Sequence, residues 1–382
     1  MRICRYTATA WPKTGGQELV VDALAREFTA LGHDATVLVQ YPRKALQPAD
    51  EQLPYRVVRH PRFVSTRHFV GWYRYWLERE HRRTPFDVVH CHSVHPCGYV
   101  AALAKPAIAA PVVITSHGGD VRADNPRFAK PGLRRRHEFA VAQADALIAI
   151  SRFTAEGYLR LGAAPAKIVE LPNGVEVARL QSPAARPSSL VADVRPRNFL
   201  LFLGRLNRRK GVDVLLRALA RIPAGERLPL VVAGDGDERA MLQASAATLG
   251  LGRSVHFVGR VAGDFKTFLL QNARAVVIPS RDWEAFPLVV LEAFAAGTPV
   301  VGTRIPGLAD LVDDGRAGIG VATESPDDLA RVLRHVIAQP ERMLAMGSAA
   351  AARAAEFDWR AVAERHLDCF SRLRTVSHRR AA

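Results

Sequence analysis

Two carboxylates, Glu284 and Glu292, stand eight positions apart in the otherwise apolar run "RDWEAFPLVVLEAFAAG", residues 281–297. A core needs no acids there, and an unpaired buried carboxylate is costly, so the pair is expected to face hydrogen-bond donors. The hydroxyls of a sugar or a ribose are donors of that kind. Upstream, "LGRLNRRKG" (203–211) sets Arg205 and Lys210 around a turn that follows the strand-like "FLLFLG". Two cations beside a helix N-terminus would neutralise a pyrophosphate there without a metal. The plainer alternative makes Arg205 and Lys210 solvated surface charges, Glu284 a cap and Glu292 a surface residue.

Other candidates sit at strand exits. His117, in "VVITSHGGDVRADN", follows a β-branched run, and its imidazole could hydrogen-bond a substrate hydroxyl while Gly118 and Gly119 let the backbone approach. Gly15 and Gly16, in "KTGG" (13–16), precede a helical segment, where backbone N–H groups could meet a phosphate; a tight turn explains them as well. "AGDGDE" (233–238) is a third glycine-rich turn, and none of the three is a GxxxxGK[ST] phosphate loop or a GxGxxG dinucleotide fingerprint. "VHCHSVHP" invites a metal through His90, Cys91, His92 and His95, but on a strand Cys91 points away from its two neighbours, so no ligand set converges and no metal is expected.

These residues need elements to position them. Short β-branched runs alternate with Ala/Leu-rich segments, the pattern of parallel strands with crossover helices. "RICRY", "DATVLVQ", "FDVVHCH", "PVVITSH", "ADALIAIS" and "KIVELPNG" read as strands, with "QELVVDALAREFTALG" a helix between the first two. The Pro- and Ser-rich 181–198 reads as a link, after which the alternation restarts with "FLLFLGR", "PLVVAGDG", "VHFVGR", "AVVIPS" and "TPVVGT". The predicted class is α/β, with a first Rossmann-like domain over 1–185 and a second over 195–355. A ligand-sized cleft is expected between them, with ligands gathered beyond the carboxyl ends of the strands. Pro287 suits the start of a helix and Gly297 its end, which puts Glu284 in a strand-exit loop and Glu292 one to two turns into the helix. "FDWRAVAERHLDCFSRLR" reads as a last amphipathic helix, 356–375, followed by a frayed basic tail.

The totals narrow the partners. The chain of 382 residues has 53 Lys and Arg against 37 Asp and Glu, a formal charge of +16, which favours polyanions: nucleic acid, anionic lipid or phosphorylated small molecules. A zinc-finger spacing and an RNP-like aromatic motif are both missing, and a nucleic-acid binder would leave the two glutamates unexplained. The four cysteines lack a disulfide or closed-zinc spacing and are expected as reduced thiols. Arg5, Pro12 and Lys13 interrupt the N-terminal apolar stretch and no run is long enough to span a bilayer, so a cytoplasmic location is expected. Residues 56–83 carry eight arginines against two glutamates, with Phe63, Phe69, Trp72, Tyr73, Tyr75 and Trp76 interleaved. That composition suits the headgroups of an anionic membrane, and peripheral attachment at the inner face follows. Ordinary core contacts of one helix with a wet arginine face suit it equally.

In order and spacing, "TGG", "SHG", "ISRFTAEGYLRLG", "LPNGV", "LGRLNRRKG", "VVAGDG", "VHFVGR", the two glutamates and "FDWRAVAERHLDCF" resemble the retaining nucleotide-sugar glycosyltransferases of family 4 over nearly the whole chain. The resemblance implies a GT-B architecture of two Rossmann-like domains, with a C-terminal helix crossing back to the first. It implies a donor bound without a metal by Gly15, Gly16, Gly204, Arg205, Lys210, Gly234, Gly236, Glu284, Phe286, Pro287, Leu288 and Glu292. It gives Arg205 and Lys210 the leaving diphosphate, Glu292 the ribose, Glu284 and, outside that set, His117 the transferred sugar, and Gly16 the phosphate and acceptor. The expected reaction moves a hexosyl unit from a GDP- or UDP-sugar to a lipid-linked or saccharide acceptor in surface polysaccharide or glycolipid assembly. Transfer to a small soluble sugar or sugar phosphate is the alternative. Three positions depart from the family pattern: Pro287, where glycine is usual, and, in "PGLAD", Pro306 and Asp310, which replace the first glycine and the glutamate of "GGxxE".

Overall fold

The computed structural model describes residues 1–11, 15–40, 50–61, 69–312 and 315–381. It divides into two compact units, one of residues 1–173 with 359–382 and one of residues 174–358. The first holds a seven-stranded sheet: β1 (Arg2–Thr7), β2 (Asp34–Gln40), β3 (Arg56–His60), β4 (Val88–Cys91), β5 (Val112–Thr115), β6 (Ala146–Ala149) and β7 (Ile168–Glu170). All pairs are parallel, in the order β3-β2-β1-β4-β5-β6-β7. Strands β4, β5 and β6 are buried at every position, because a parallel sheet carries its crossover helices on both faces.

The Gly16–Ala30 helix turns Val20, Val21, Leu24, Ala25 and Phe28 inward at helical spacing. Against it lies the last helix, Trp359–Ala381, whose Phe370 meets Phe28 edge-on at 5.9 Å. The C-terminal segment thus returns to complete the first unit, and it stays helical to Ala381 where a frayed tail was expected.

The second unit holds six parallel strands: β8 (Leu200–Leu203), β9 (Leu230–Ala233), β10 (Val255–Gly259), β11 (Ala275–Ile278), β12 (Val300–Thr303) and β13 (Gly318–Val321). Their order is β10-β9-β8-β11-β12-β13. Both sheets therefore reverse direction of strand addition beside their first strand, at β1/β4 and at β8/β11. Such switch points open the crevice in which doubly wound sheets take ligands.

Two sequence expectations need correction. The stretch 181–198 is part of the second unit, because Leu190 and Val194 are buried in its core with Phe199 and Leu201. The chain instead changes unit between Asn173 and Gly174 and again between Asp358 and Trp359. The two ends of the second unit are adjacent: the Val175 N–H donates to Phe357 O at 2.8 Å. Residues 56–83 also comprise more than one helix. Strand β3 precedes a Phe69–Arg83 helix, while Phe63 and the rest of 62–68 lie outside the described residues. Strand β3 escapes a hydrophobic-pattern reading because its buried positions include Arg59, which is paired with Asp50 at 2.6 Å, and His60.

Candidate active site

In the second unit the exits of β8 and β11, neighbours at the switch point, carry the sequence-predicted charges. The β8 exit tightens into a short turn at Arg208–Lys210, and Lys210 Nζ reaches Glu284 Oε1, in the β11 exit, at 2.6 Å. Ser280 Oγ donates to the same oxygen at 2.7 Å. Glu284 is buried, and these two donors compensate its desolvation. The Glu284 N–H donates to Pro306 O at 3.0 Å, which seats the departing "PGLAD" loop directly on the acid. Gly307 of that loop has φ +78°, and a Cβ there would lie 1.6 Å from Glu284 O.

Neighbouring residues stitch the two exits together, and sequence reading missed them. The Arg209 guanidinium lies 4.1 Å from the centre of the Trp283 ring and donates to Trp283 O at 2.9 Å. Arg281 grips Asp213 through two 2.7 Å bonds, donates to Arg208 O at 2.6 Å and pairs with Glu324. Burial opposes charge on Asp213, but the hydrogen bonds and charge of Arg281 outweigh it and hold the carboxyl below its usual range. The bonds to Asp213 push Arg281 further up.

The remaining predicted residues separate. Arg205 is exposed and makes no side-chain hydrogen bond or ion pair with a described residue. Glu292 is the fifth residue of the Leu288–Ala295 helix, which Pro287 precedes, and it pairs with Lys266 at 2.6 Å. Lys266 gives no signal in the sequence, since only the strand order brings the Gly263–Asn272 helix beside Glu292. Leu288 is half-buried, and the half-buried Phe286 packs on Phe357, ring centres 6.1 Å apart. Gly204 and Gly234 meet where the exits of β8 and β9 cross: a Cβ on Gly234, at φ +154°, would fall 1.8 Å from Gly204 O. A Cβ on Gly236 would fall 2.2 Å from Leu206 O.

In the first unit, Gly15 is extended and caps the Gly16–Ala30 helix, while Lys13 and Thr14 lie outside the described residues. A Cβ on Gly15 would strike Glu18, whose buried carboxylate accepts from Thr9 Oγ1 at 2.5 Å. Gly16 faces open space. The helix start expected for phosphate thus already holds one anion in its first turn, a favourable place for it.

His117 follows β5, and its Nε2 lies 3.2 Å from Nδ1 of His92, which follows β4. Burial pushes the His117 imidazole down to about 3, and the charge of Arg5 adds to that, although the residue is only part-buried. Next to it, Asp120 accepts from the Val94 N–H at 2.5 Å and from Ser116 Oγ, fixing the turn that carries Gly118. Among the described residues no three His, Cys, Asp or Glu side chains are placed to share a metal ion. Among them also, no helix is long and apolar enough to cross a membrane.

Residues 14–179 match the family described as Glycosyltransferase Family 4, and residues 192–353 match Glycosyl transferases group 1. D-inositol 3-phosphate glycosyltransferase 2 of Catenulispora acidiphila is 32% identical, the alignment covering 94% of this chain and 90% of that one. The D-inositol 3-phosphate glycosyltransferase of Saccharomonospora viridis is 31% identical over 93% of this chain and 89% of its own. Among solved structures, Anabaena Alr3699/HepE in complex with UDP superposes with a TM-score of 0.81 at 21% identity, covering 97% of this chain and 100% of that one. Sucrose-phosphate synthase of Thermosynechococcus elongatus gives 0.79 at 22%, over 98% and 100%. With the GT-B fold, the two family matches and a near-full-length relative at 32% identity, the chain belongs to glycosyltransferase family 4 and is a glycosyltransferase.

Proposed function

We propose that the enzyme moves a hexosyl unit from a nucleotide sugar, a UDP- or GDP-sugar, to a small water-soluble acceptor of the polyol-phosphate or sugar-phosphate kind, retaining the anomeric configuration. The observation that carries the acceptor class is the near-full-length likeness to proteins named D-inositol 3-phosphate glycosyltransferase. For the donor, the supporting geometry is the Lys210–Glu284 pair at the exits of β8 and β11.

When a diphosphate arrives, Lys210 turns its charge toward the phosphate oxygens and Glu284 accepts hydrogen bonds from hydroxyls of the sugar in its place. Arg205, exposed and without a side-chain partner among the described residues, meets the same diphosphate, and Glu292 takes the ribose hydroxyls. Retention follows from a front-side route: the glycosidic bond to phosphate breaks to give an oxocarbenium-like sugar, and the leaving phosphate oxygen takes the acceptor hydroxyl's proton as the new C–O bond forms. The cations then stabilise negative charge that grows on the leaving group.

The Phe69–Arg83 helix supports a soluble acceptor over a lipid-linked one. Tyr73 is buried, Trp76 stacks on His60, and the Trp72 indole donates to Pro61 O, which leaves Tyr75, 48% exposed, as the most exposed aromatic of this helix. Few anchors then remain for a membrane. The test is a product assay pairing UDP- and GDP-sugars with inositol phosphates, hexose phosphates and a polyprenyl-diphosphate sugar in vesicles. Transfer to a soluble phosphate, with product anomeric coupling matching the donor, is expected; transfer to the lipid alone, or inversion, would refute the proposal.

A further inference from the structure

His117 does not stand alone. His92 is fully buried, its ring is within 17° of parallel to that of His117, and its Nδ1 sits 3.2 Å from His117 Nε2. Burial holds both imidazoles neutral, so this contact contains one proton: one ring donates and the other accepts. The surroundings of His92 choose which. Its other nitrogen, Nε2, is buried without a partner among the described residues, and the cation of Arg5, whose Nε and Nη1 are likewise buried and unpartnered, disfavours further positive charge on the ring, which also lies 4.4 Å from that of His90. Among the described residues that guanidinium makes one hydrogen bond, a long one of 3.4 Å to Val20 O, so its N–H groups leave the cluster rich in unmet donors. A proton on His92 Nε2 would add another donor beside a buried cation; a lone pair there supplies an acceptor, directly or through a water. His92 therefore carries its proton on Nδ1 and donates it to His117 Nε2.

We infer that His92, set by the buried Arg5, is a positioning residue that fixes His117 as the Nδ1–H tautomer, so that His117 offers the substrate a hydrogen-bond donor and no base. With Nε2 occupied and Nδ1 protonated, His117 has no lone pair left for an acceptor hydroxyl's proton. Its partner is an oxygen, of a sugar hydroxyl or of a phosphate. The assignment of a substrate contact rests on the proposed transferase reading; the tautomer does not.

The experiment has two arms. In the first, long-range 15N–1H correlation of the histidine-labelled full chain, free of ligand at pH 7.5, reads the tautomer, with the His117 signal assigned by its loss in His117→Asn. Protonation at Nδ1 and a bare Nε2 are expected, and the reverse pattern overturns the inference whatever the enzyme's substrate is. In the second, steady-state kinetics compare His92→Leu with His92→Asn, whose amide nitrogen can stand where Nδ1–H stood. The leucine variant is expected to lose about tenfold in kcat/KM, the scale of one hydrogen bond, and the asparagine variant to stay within about threefold. Equal losses in the two variants, or none in His92→Leu, overturn the positioning role even if the tautomer is right.

Discussion

Lys210 and Glu284 are separated by 74 positions yet share a 2.6 Å hydrogen bond across two adjacent strand exits. The acid is buried and its oxygen also accepts from Ser280, so the cation is both counter-charge and proposed ligand contact. Lys210→Ala should then act twice. Losing a charge-assisted bond to a buried carboxylate is expected to lower stability by roughly 1.5–3 kcal/mol, and turnover at saturating donor should fall by about 10² or more. Thermal denaturation and kinetics on the same sample check both, and an active, equally stable variant would remove Lys210 from the site.

Arg205 offers the opposite combination. Exposed and unpaired among the described residues, it should be removable without a structural cost, so Arg205→Ala is expected to keep its unfolding free energy within about 0.5 kcal/mol of the parent. Its turnover should still fall by about 10². Retained turnover would show the guanidinium to be ordinary surface charge.

A side chain at position 307 cannot be accommodated. With φ at +78° and a Cβ falling 1.6 Å from Glu284 O, Gly307→Ala must displace either its own loop or the acid. A loss of about 3 kcal/mol or more, from the clash and the backbone strain, is expected in urea titration. Donor affinity, by calorimetry, should fall with it; unchanged values in both would mean the loop bears no relation to Glu284.

Acid should weaken the first unit before the second. Burial pushes His60, His95 and His366 down to about 4 and His117 to about 3, with His90 and His92 also well below the ordinary range. All six belong to the first unit. An unfolded imidazole titrates near 6.5, so below that pH the unfolded chain binds more protons than the native one. The histidine contribution to stability is therefore complete above about pH 6.5 and is lost as the pH falls toward 4, each group adding a slope of up to about 1.4 kcal/mol per pH unit. Hydrogen exchange at pH 7 and pH 5 should show opening free energies dropping in residues 69–173 more than in 200–350. A uniform decrease would contradict this.

Much of the architecture could be read from local pattern because buried parallel strands are spelled out in β-branched runs such as "VVIT" and "AVVI". Strand β3 could not, since its inward Arg59 is neutralised by Asp50 and so breaks the apolar pattern without breaking the core. The stretch 181–198 looked like a link by composition, yet two residues, Leu190 and Val194, suffice to moor it. At the site, Glu284 and Lys210 were each visible as charges in odd places, but their bond was not. The same holds for Lys266 beside Glu292 and for Arg209 over Trp283: pairing across strand exits depends on sheet order, which no local periodicity records.

The bond between Val175 and Phe357 bears on how the gene can be cut. Residues 174–358 begin and finish side by side and form one uninterrupted cassette, suited to expression alone. The partner unit is encoded in two pieces, and a product stopping before Trp359 would lack the helix that covers Phe28, leaving a greasy scar open to aggregation. Its smallest self-sufficient version would be a splice of 1–173 directly onto 359–381, with the cassette lifted out.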